Sequence, residues 1–304
     1  MRANHEANCD RLGDVRLLGS RLSLGTAQWG TPYGLTNERG ELSDSEVTEI
    51  VQAALAAKIT AADTHRTTDP RQGYGRAQAR LRPWARDFRI TTKIFGRSEM
   101  PISEQLAITL TELAIPSLHA CLVHDWAVLS GEERRSTARA LEAVRANGEA
   151  TKVGVSAYDE AEVASAIDHF ESLDVVQVPA SVVDQRLVNS AVLHALNDAG
   201  TEIQVRSIFL QGLLLEPRAT ASLAAHRDIR AFHLFCEANG IAPLTACLSF
   251  IKSLEWATQV VVGVTGADEL QQVADTWAQG PLTAYWAELA SSDTALVDPR
   301  LWSR

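Results

Sequence analysis

Eight short runs rich in aliphatic and β-branched residues punctuate the chain, and each is followed by a polar loop or a stretch whose apolar positions recur at helical spacing. The first run ends in Leu24-Gly25-Thr26-Ala27-Gln28. The others are ITAAD, FRITTKI, HACLVHD, KVGVS, DVVQVP, EIQVRSIF and TQVVVGV. None alternates cleanly between apolar and polar. Most are continuous apolar runs, as expected of parallel strands buried on both faces. Between them, SEVTEIVQAALAAK reads as a helix capped by Ser43 or Asp44, and a shorter helix covers roughly Arg76–Arg82 and stops near Pro83. SEQLAITLTELA reads as a helix opening on a Ser cap, and Ser130 with Glu133 forms a capping box for a helix ending at Asn147-Gly148. DEAEVASAIDHF and SAVLHALNDAG follow, the second closed by Gly200. Asp228–Ser253 reads as two helices broken near Gly240 and Pro243, and GADELQQVADTW is the last. Eight βα units in 304 residues predict an α/β fold, a (β/α)8 barrel. The other candidate, a doubly wound open sheet, lacks a G-x-G-x-x-G after the first strand. Residues 1–18 are expected to be a polar extension. Residues 19–304 are expected to form one barrel domain with a C-terminal helical tail.

Composition narrows the function classes. The net charge of −10 argues against nucleic acid or an anionic membrane as partner, because both need a basic footprint. Cys9, Cys121, Cys236 and Cys247 form no CxxC or Cys/His cluster, so no metal site is expected. Cys121 and Cys247 lie in apolar runs and read as buried free thiols, which suits the reducing cytoplasm. The stretch MRANHEANCDRLGDVR lacks the apolar core expected of a signal peptide, and no stretch reaches the roughly 20 apolar residues of a membrane helix. The expected partner is a small molecule; oligomeric state leaves no mark in the sequence.

Barrel enzymes build their sites at the C-terminal strand ends. Here those ends carry Asp63, Lys93, His124, Ser156, Gln177 and the pair Arg206-Ser207. Each alone has a structural explanation: a loop cap, a snorkelling ammonium, a hydrogen-bonded His–Asp pair. One polar group per strand tip, in chain order, is a pattern of another kind.

In the pieces LGTAQWG, ADT…YG, ITTKI, LVHDW, KVGVSAYDEAEV, DVVQVP, RSIFLQGLL and VVVGVTGADELQQV, the chain resembles the aldo/keto reductase family from about Leu22 to Trp277. The last pieces resemble its sugar-modifying and biosynthetic branch. The resemblance implies a barrel that binds NADPH or NADH without a Rossmann fold and passes hydride to a carbonyl. Its tetrad falls on Asp63, Tyr74, Lys93 and His124. Hydride arriving at a carbonyl carbon leaves charge on oxygen, so a donor must protonate it. A phenol, with an ordinary pKa near ~10, becomes a better acid beside a cation. The resemblance further implies that Ser156 and Gln177 hold the nicotinamide carboxamide, and that Gly263, Thr265 and Gln271 hold the adenosine end. It adds Gly25, Thr26, Arg206 and Ser207 to the cofactor contacts, and Trp29, Tyr33 and His65 to the substrate pocket.

The sequence also departs from the family pattern. His65 replaces the usual Ala after Asp-Thr, and Tyr74 comes about six positions late. Either the loop carries an insertion and Tyr74 is the proton donor, or Thr68 occupies that position and the donor is missing. Ala157 replaces an Asn, and Arg206 replaces the aromatic on which nicotinamide stacks. No Lys or Arg lies between Thr265 and Val273, while Asp268 and Glu269 do, which disfavours a 2′-phosphate. The expected function is NAD(P)H-dependent reduction of a carbonyl on a small polar, sugar-like or natural-product substrate. The alternative is a barrel that has lost hydride transfer and acts as an isomerase, a lyase or a non-catalytic binding protein.

Overall fold

The computed structural model describes residues 20–66, 74–216 and 222–302, without the side chains of Tyr74 and Ser222. The expected polar extension, and Thr68, therefore lie outside the described residues.

Eight parallel strands close into a barrel in chain order. They are β1 (Leu22–Gly25), β2 (Ala61–Asp63), β3 (Arg89–Ile94), β4 (Leu118–Val123), β5 (Ala150–Ser156), β6 (Val175–Pro179), β7 (Glu202–Arg206) and β8 (Gln259–Gly263). β8 pairs back onto β1, with Gly25 opposite Gly263. The barrel helices are α1 (Asp44–Ala56), α2 (Tyr74–Leu81), α3 (Ile102–Leu113), α4 (Gly131–Ala146), α5 (Glu160–Ile167), α6 (Ala191–Asp198), α7 (Arg227–Asn239), α8 (Pro243–Lys252) and α9 (Ala267–Ala278). This is the (β/α)8 barrel that the spacing predicts.

Local chemistry accounts for many boundaries. Ser43 caps α1 and Ser130 caps α4, each in a reciprocal box with the Glu three residues on. Gly240 ends α7 in the left-handed region, and Pro243 starts α8 at a position where its missing N–H costs nothing. α2 ends at Leu81, just before Pro83 as expected, and the chain continues in a 3-10 segment, Arg82–Asp87, that accommodates the proline near its start. Two boundaries differ from expectation. Ser103 does not cap α3: the helix enters from Pro101, whose carbonyl takes the Glu104 and Gln105 amides, leaving Ser103 inside the first turn. β7 ends at Arg206, because Ser207 turns to φ 61°.

The strands do alternate, which the run of apolar letters conceals. Leu24, Ala62, Ile90, Cys121, Val123, Val153, Val155, Val176, Val178, Ile203, Val205, Val260 and Val262 belong to the large core beneath the helices. The intervening positions face the barrel axis, where Ala120, Leu122 and Val175 form a separate small apolar cluster. The rest of the axis is polar. Gln204 on β7 donates to Thr91 Oγ1 on β3, the strand opposite, at 3.1 Å, and to Gln259 Oε1 at 3.1 Å. Space inside is short: a Cβ on Gly154 would lie 1.7 Å from the Val175 carbonyl oxygen.

Beyond α9 the chain runs back over the barrel in single turns, Trp286–Leu289, Thr294–Val297 and Pro299–Leu301. The Ser291 amide donates to the Val183 carbonyl at 2.8 Å and Gln185 Nε2 to the Trp286 carbonyl at 2.6 Å. These ties bring Pro299 and Arg300 to the C-terminal mouth.

Candidate active site

β2 is only three residues long and delivers Asp63 at its tip. Asp63 is in register with Thr91 on β3, so Lys93, two residues on, projects from the same face one step nearer the mouth. Lys93 Nζ lies 2.7 Å from Asp63 Oδ1 and 2.8 Å from Oδ2. Gln177 Nε2, from β6 across the axis, donates to Asp63 Oδ2 at 2.7 Å. The pair is almost enclosed, with side-chain exposures of 7% for Lys93 and 14% for Asp63, so each needs the other. Burial lowers the affinity of the Lys93 ammonium for its proton, the Asp63 carboxylate opposes that, and the nearby Arg206 charge adds to the lowering.

His124 follows β4 directly, its amide donating to the Ile94 carbonyl at 2.8 Å. Its ring is 4.5 Å from that of His65, centroid to centroid, and stands edge-on to Phe95 at 5.5 Å. Asp125 is not its partner; that carboxylate accepts from the Gly96 and Arg97 amides at 2.7 and 2.9 Å. Burial, then the charges of Lys93 and Arg206, push His124 down to about 3. His65 is held well below the ordinary imidazole range by burial, then by His124 and Lys93. Both rings are therefore neutral at working pH. The unfolded chain takes up a proton near pH 6.5 that the folded His124 refuses until about pH 3. Folding stability should fall as pH drops through that window, and His124→Gln should flatten the slope in urea-melt series at stepped pH.

Ser156 Oγ at the tip of β5 and Gln177 Oε1 on β6 are buried with no protein partner, on residues 2% and 0% exposed. Both residues line the mouth cavity, of about 940 Å³. A carboxamide brings one acceptor and one NH₂ donor, which a hydroxyl and an amide oxygen can satisfy together. The residues present therefore fit a nicotinamide group. Gly25, Thr26, Tyr33, His65, Ser207, Gly263 and Thr265 line the same cavity.

Arg206 reaches the cavity from β7 and stacks on Tyr158 at 4.1 Å, with Arg300 of the C-terminal segment 4.0 Å from the same ring centroid. The guanidinium donates to the Ala157 carbonyl and Ser207 Oγ, both at 3.3 Å, and has no carboxylate partner among the described residues. Asp298 and Glu162 hold Arg300.

Two expected site residues are placed elsewhere. Trp29 is fully buried in the helix-side core rather than at the cavity, where an indole gains more from burial than from a polar mouth. Gln271 sits on the exposed face of α9 and donates to Asp275 Oδ1 at 2.8 Å. Tyr74 opens α2, and its side chain lies outside the description.

Sequence reasoning missed the support beneath the site. Gln177 Nε2 also donates to Gln204 Oε1 at 3.0 Å, and Gln204 Nε2 donates to Glu202 Oε1 at 2.8 Å. Glu202 in turn takes Lys152 Nζ at 2.6 Å and lies 2.9 Å from His119 Nε2. A continuous polar chain thus runs from Lys93 through the barrel to its N-terminal end. Its signal was present: a lone amide in an apolar run, as in IQV and VVQV, is costly unless paired. Tyr158 and Arg300 carried no such signal. Among the described residues, no group of three His, Cys, Asp or Glu side chains converges as a metal site would require.

The profile of the aldo/keto reductase family matches residues 21–291. The chain belongs to the aldo/keto reductase family. Among solved structures, a putative aldo-keto reductase from Pseudomonas aeruginosa is 20% identical, with a TM-score of 0.64 over 88% of this chain and 93% of that one. The holo form of a Bacillus halodurans aldo-keto reductase is 17% identical, with a TM-score of 0.71 over 93% and 96%. A glycerol dehydrogenase of Gluconobacter oxydans is 16% identical, with a TM-score of 0.65 over 92% and 93%. At these identities the likeness is one of fold. No curated protein matches the chain. Family membership makes the general activity that of an oxidoreductase acting on small carbonyl compounds with NAD(P)H.

For this aldo/keto reductase, the carboxylate-bound ammonium and neutral imidazole share one cavity with the unpartnered hydroxyl and amide. Such a cavity can bind a nicotinamide beside a carbonyl oxygen and stabilise the charge that develops there.

Proposed function

We propose that the protein reduces the carbonyl of a small polar substrate, sugar-like or of natural-product type, to an alcohol. The observation that carries this reading is the pairing of the buried Lys93–Asp63 ion pair with two buried, unpartnered polar atoms, Ser156 Oγ and Gln177 Oε1, in one cavity. An ion pair alone is structural, but orphaned buried acceptors and donors beside it call for a ligand.

In this reading Ser156 and Gln177 would hold the carboxamide of the dinucleotide, which when bound supplies the hydride. His124 orients the carbonyl oxygen through a neutral ring N–H. Tyr74 gives the proton, made more acidic by Lys93, whose ammonium Asp63 holds. Tyr33 and His65 shape the substrate side. Tyr158, stacked between Arg206 and Arg300, walls the mouth next to them. No helix among the described residues is by itself long and apolar enough to cross a membrane. With free buried thiols at Cys121, Cys236 and Cys247, a reducing cytoplasm is the proposed setting.

The test is direct. NADH and NADPH are titrated into the full chain while tryptophan fluorescence is followed. Loss of reduced nicotinamide absorbance is then measured with a panel of aldehydes, ketones and reducing sugars. Binding with carbonyl-dependent oxidation supports the reading. Absence of binding by either dinucleotide sinks it and favours a barrel without hydride transfer.

A further inference from the structure

We infer that Glu269 makes this protein select the non-phosphorylated dinucleotide, NADH over NADPH. The inference rests on the reductase reading and concerns the opposite end of the same cavity.

The mouth fixes where the two halves of a dinucleotide can go. Ser156 and Gln177, 2% and 0% exposed, present unpartnered polar atoms at the tips of β5 and β6. In a closed eight-stranded barrel, β5 stands opposite β1. A ligand whose carboxamide is held at β5 and β6 can extend across the mouth to the loops after β1 and β8, which wall the same cavity. There the cavity is walled by Gly263, Thr265 and Glu269 on one side and by Glu38 and Arg39 on the other.

Glu269 is fixed in place at that end. Its Oε2 accepts from the Thr265 amide at 2.7 Å and its Oε1 from Thr265 Oγ1 at 2.8 Å. A carboxylate so held turns the first turn of α9 from an anion receptor into an anion: the helix N-terminus already has its negative charge. Each oxygen keeps a further lone pair, and a carboxylate only accepts. It can therefore accept a hydrogen bond from a ribose hydroxyl but has no hydrogen to donate to a phosphate.

The surroundings carry the same sign. Residues 264–278 contain no Lys or Arg, while Asp268 joins Glu269 in the first turn of α9. Arg39, the cation facing them, is engaged: its Nη2 lies 2.8 Å from Glu46 Oε1 and its Nη1 donates to the Thr265 carbonyl at 3.2 Å. Of the charged residues named at this end of the cavity, Glu38 and Glu269 are anionic and Arg39 is the cation, already paired with Glu46. A 2′-phosphate placed here meets like charge, whereas a 2′-hydroxyl meets an acceptor, the arrangement by which acidic side chains choose NAD in other dinucleotide sites.

The experiment measures dissociation constants of NADH and NADPH for the full chain by quenching of tryptophan fluorescence, without substrate. NADH should bind at least about tenfold more tightly than NADPH, with the gap widening at low salt. Glu269→Gln should narrow the gap through tighter NADPH binding. Glu269→Arg should tighten NADPH by about tenfold while leaving thermal unfolding of the free protein close to that of the parent. Equal or tighter binding of NADPH by the parent protein overturns the inference and leaves the reductase reading intact. An unchanged NADH-to-NADPH ratio in both variants also overturns it. Failure of both dinucleotides to bind the parent protein removes the reductase reading itself, and the inference with it.

Discussion

Replacing Lys93 with methionine should lower the rate of carbonyl reduction by about 10³-fold while leaving the dissociation constant of the reduced dinucleotide nearly unchanged. The ammonium touches Asp63 through both carboxylate oxygens and faces the cavity where charge develops on the carbonyl oxygen. Its contribution is realised in the transition state, so the loss belongs in the catalytic rate rather than in ground-state binding. Methionine fills nearly the same volume, so packing is not the cause. Among the described residues, the same change leaves Asp63 as an enclosed carboxylate with Gln177 as its remaining side-chain donor, a loss of about 3–5 kcal/mol in folding stability. Adding Asp63→Asn should restore most of that stability and none of the activity. Urea melts and single-turnover absorbance on the parent and the two variants separate the two effects. A Lys93→Met protein that turns over within threefold of the parent would remove Lys93 from the chemistry.

The second large effect is expected at Tyr74. Tyr74→Phe should cost about 10³-fold in turnover, and Thr68→Ala should change it by less than about threefold. The reason lies in the acid–base state of the cavity. With His124 pushed down to about 3, its protonated fraction near pH 7 is only about 10⁻⁴, so the imidazole cannot serve as the ready proton source. Lys93 is committed to Asp63. A phenol brought beside that ammonium is the acid the reaction lacks. The reverse pattern, with Thr68→Ala inactivating and Tyr74→Phe silent, would assign the loop without an insertion and end the case for a phenolic donor.

Much of the fold was legible because it rests on local rules. The capping boxes at Ser43 and Ser130, the stop at Gly240 and the start at Pro243 each depend on residues within one turn of each other. Ser103 misled for the same local reason: a Ser near a helix start satisfies the capping pattern, but Pro101 had already fixed the chain's entry. Asp63, Lys93, His124, Ser156 and Gln177 were legible because a parallel barrel sends every strand tip to one rim. Trp29 and Gln271 were misplaced. Which way a loop side chain or a helix face turns is set by neighbours far away in the chain, such as the core that takes Trp29.

Strand order, helix placement and the rim positions of Asp63, Lys93 and His124 follow from period, punctuation and the closure of eight βα units. Those quantities are written in consecutive residues. The polar chain from Lys93 down to Glu202, the stacking of Arg206 and Arg300 on Tyr158, and the clamp of Glu269 on Thr265 depend on distances and on the rotamers that packing permits. Most of these contacts join residues far apart in sequence, and no periodicity records them. Burial then sets their charge state, since a carboxylate, ammonium or imidazole titrates according to how far folding removes it from water.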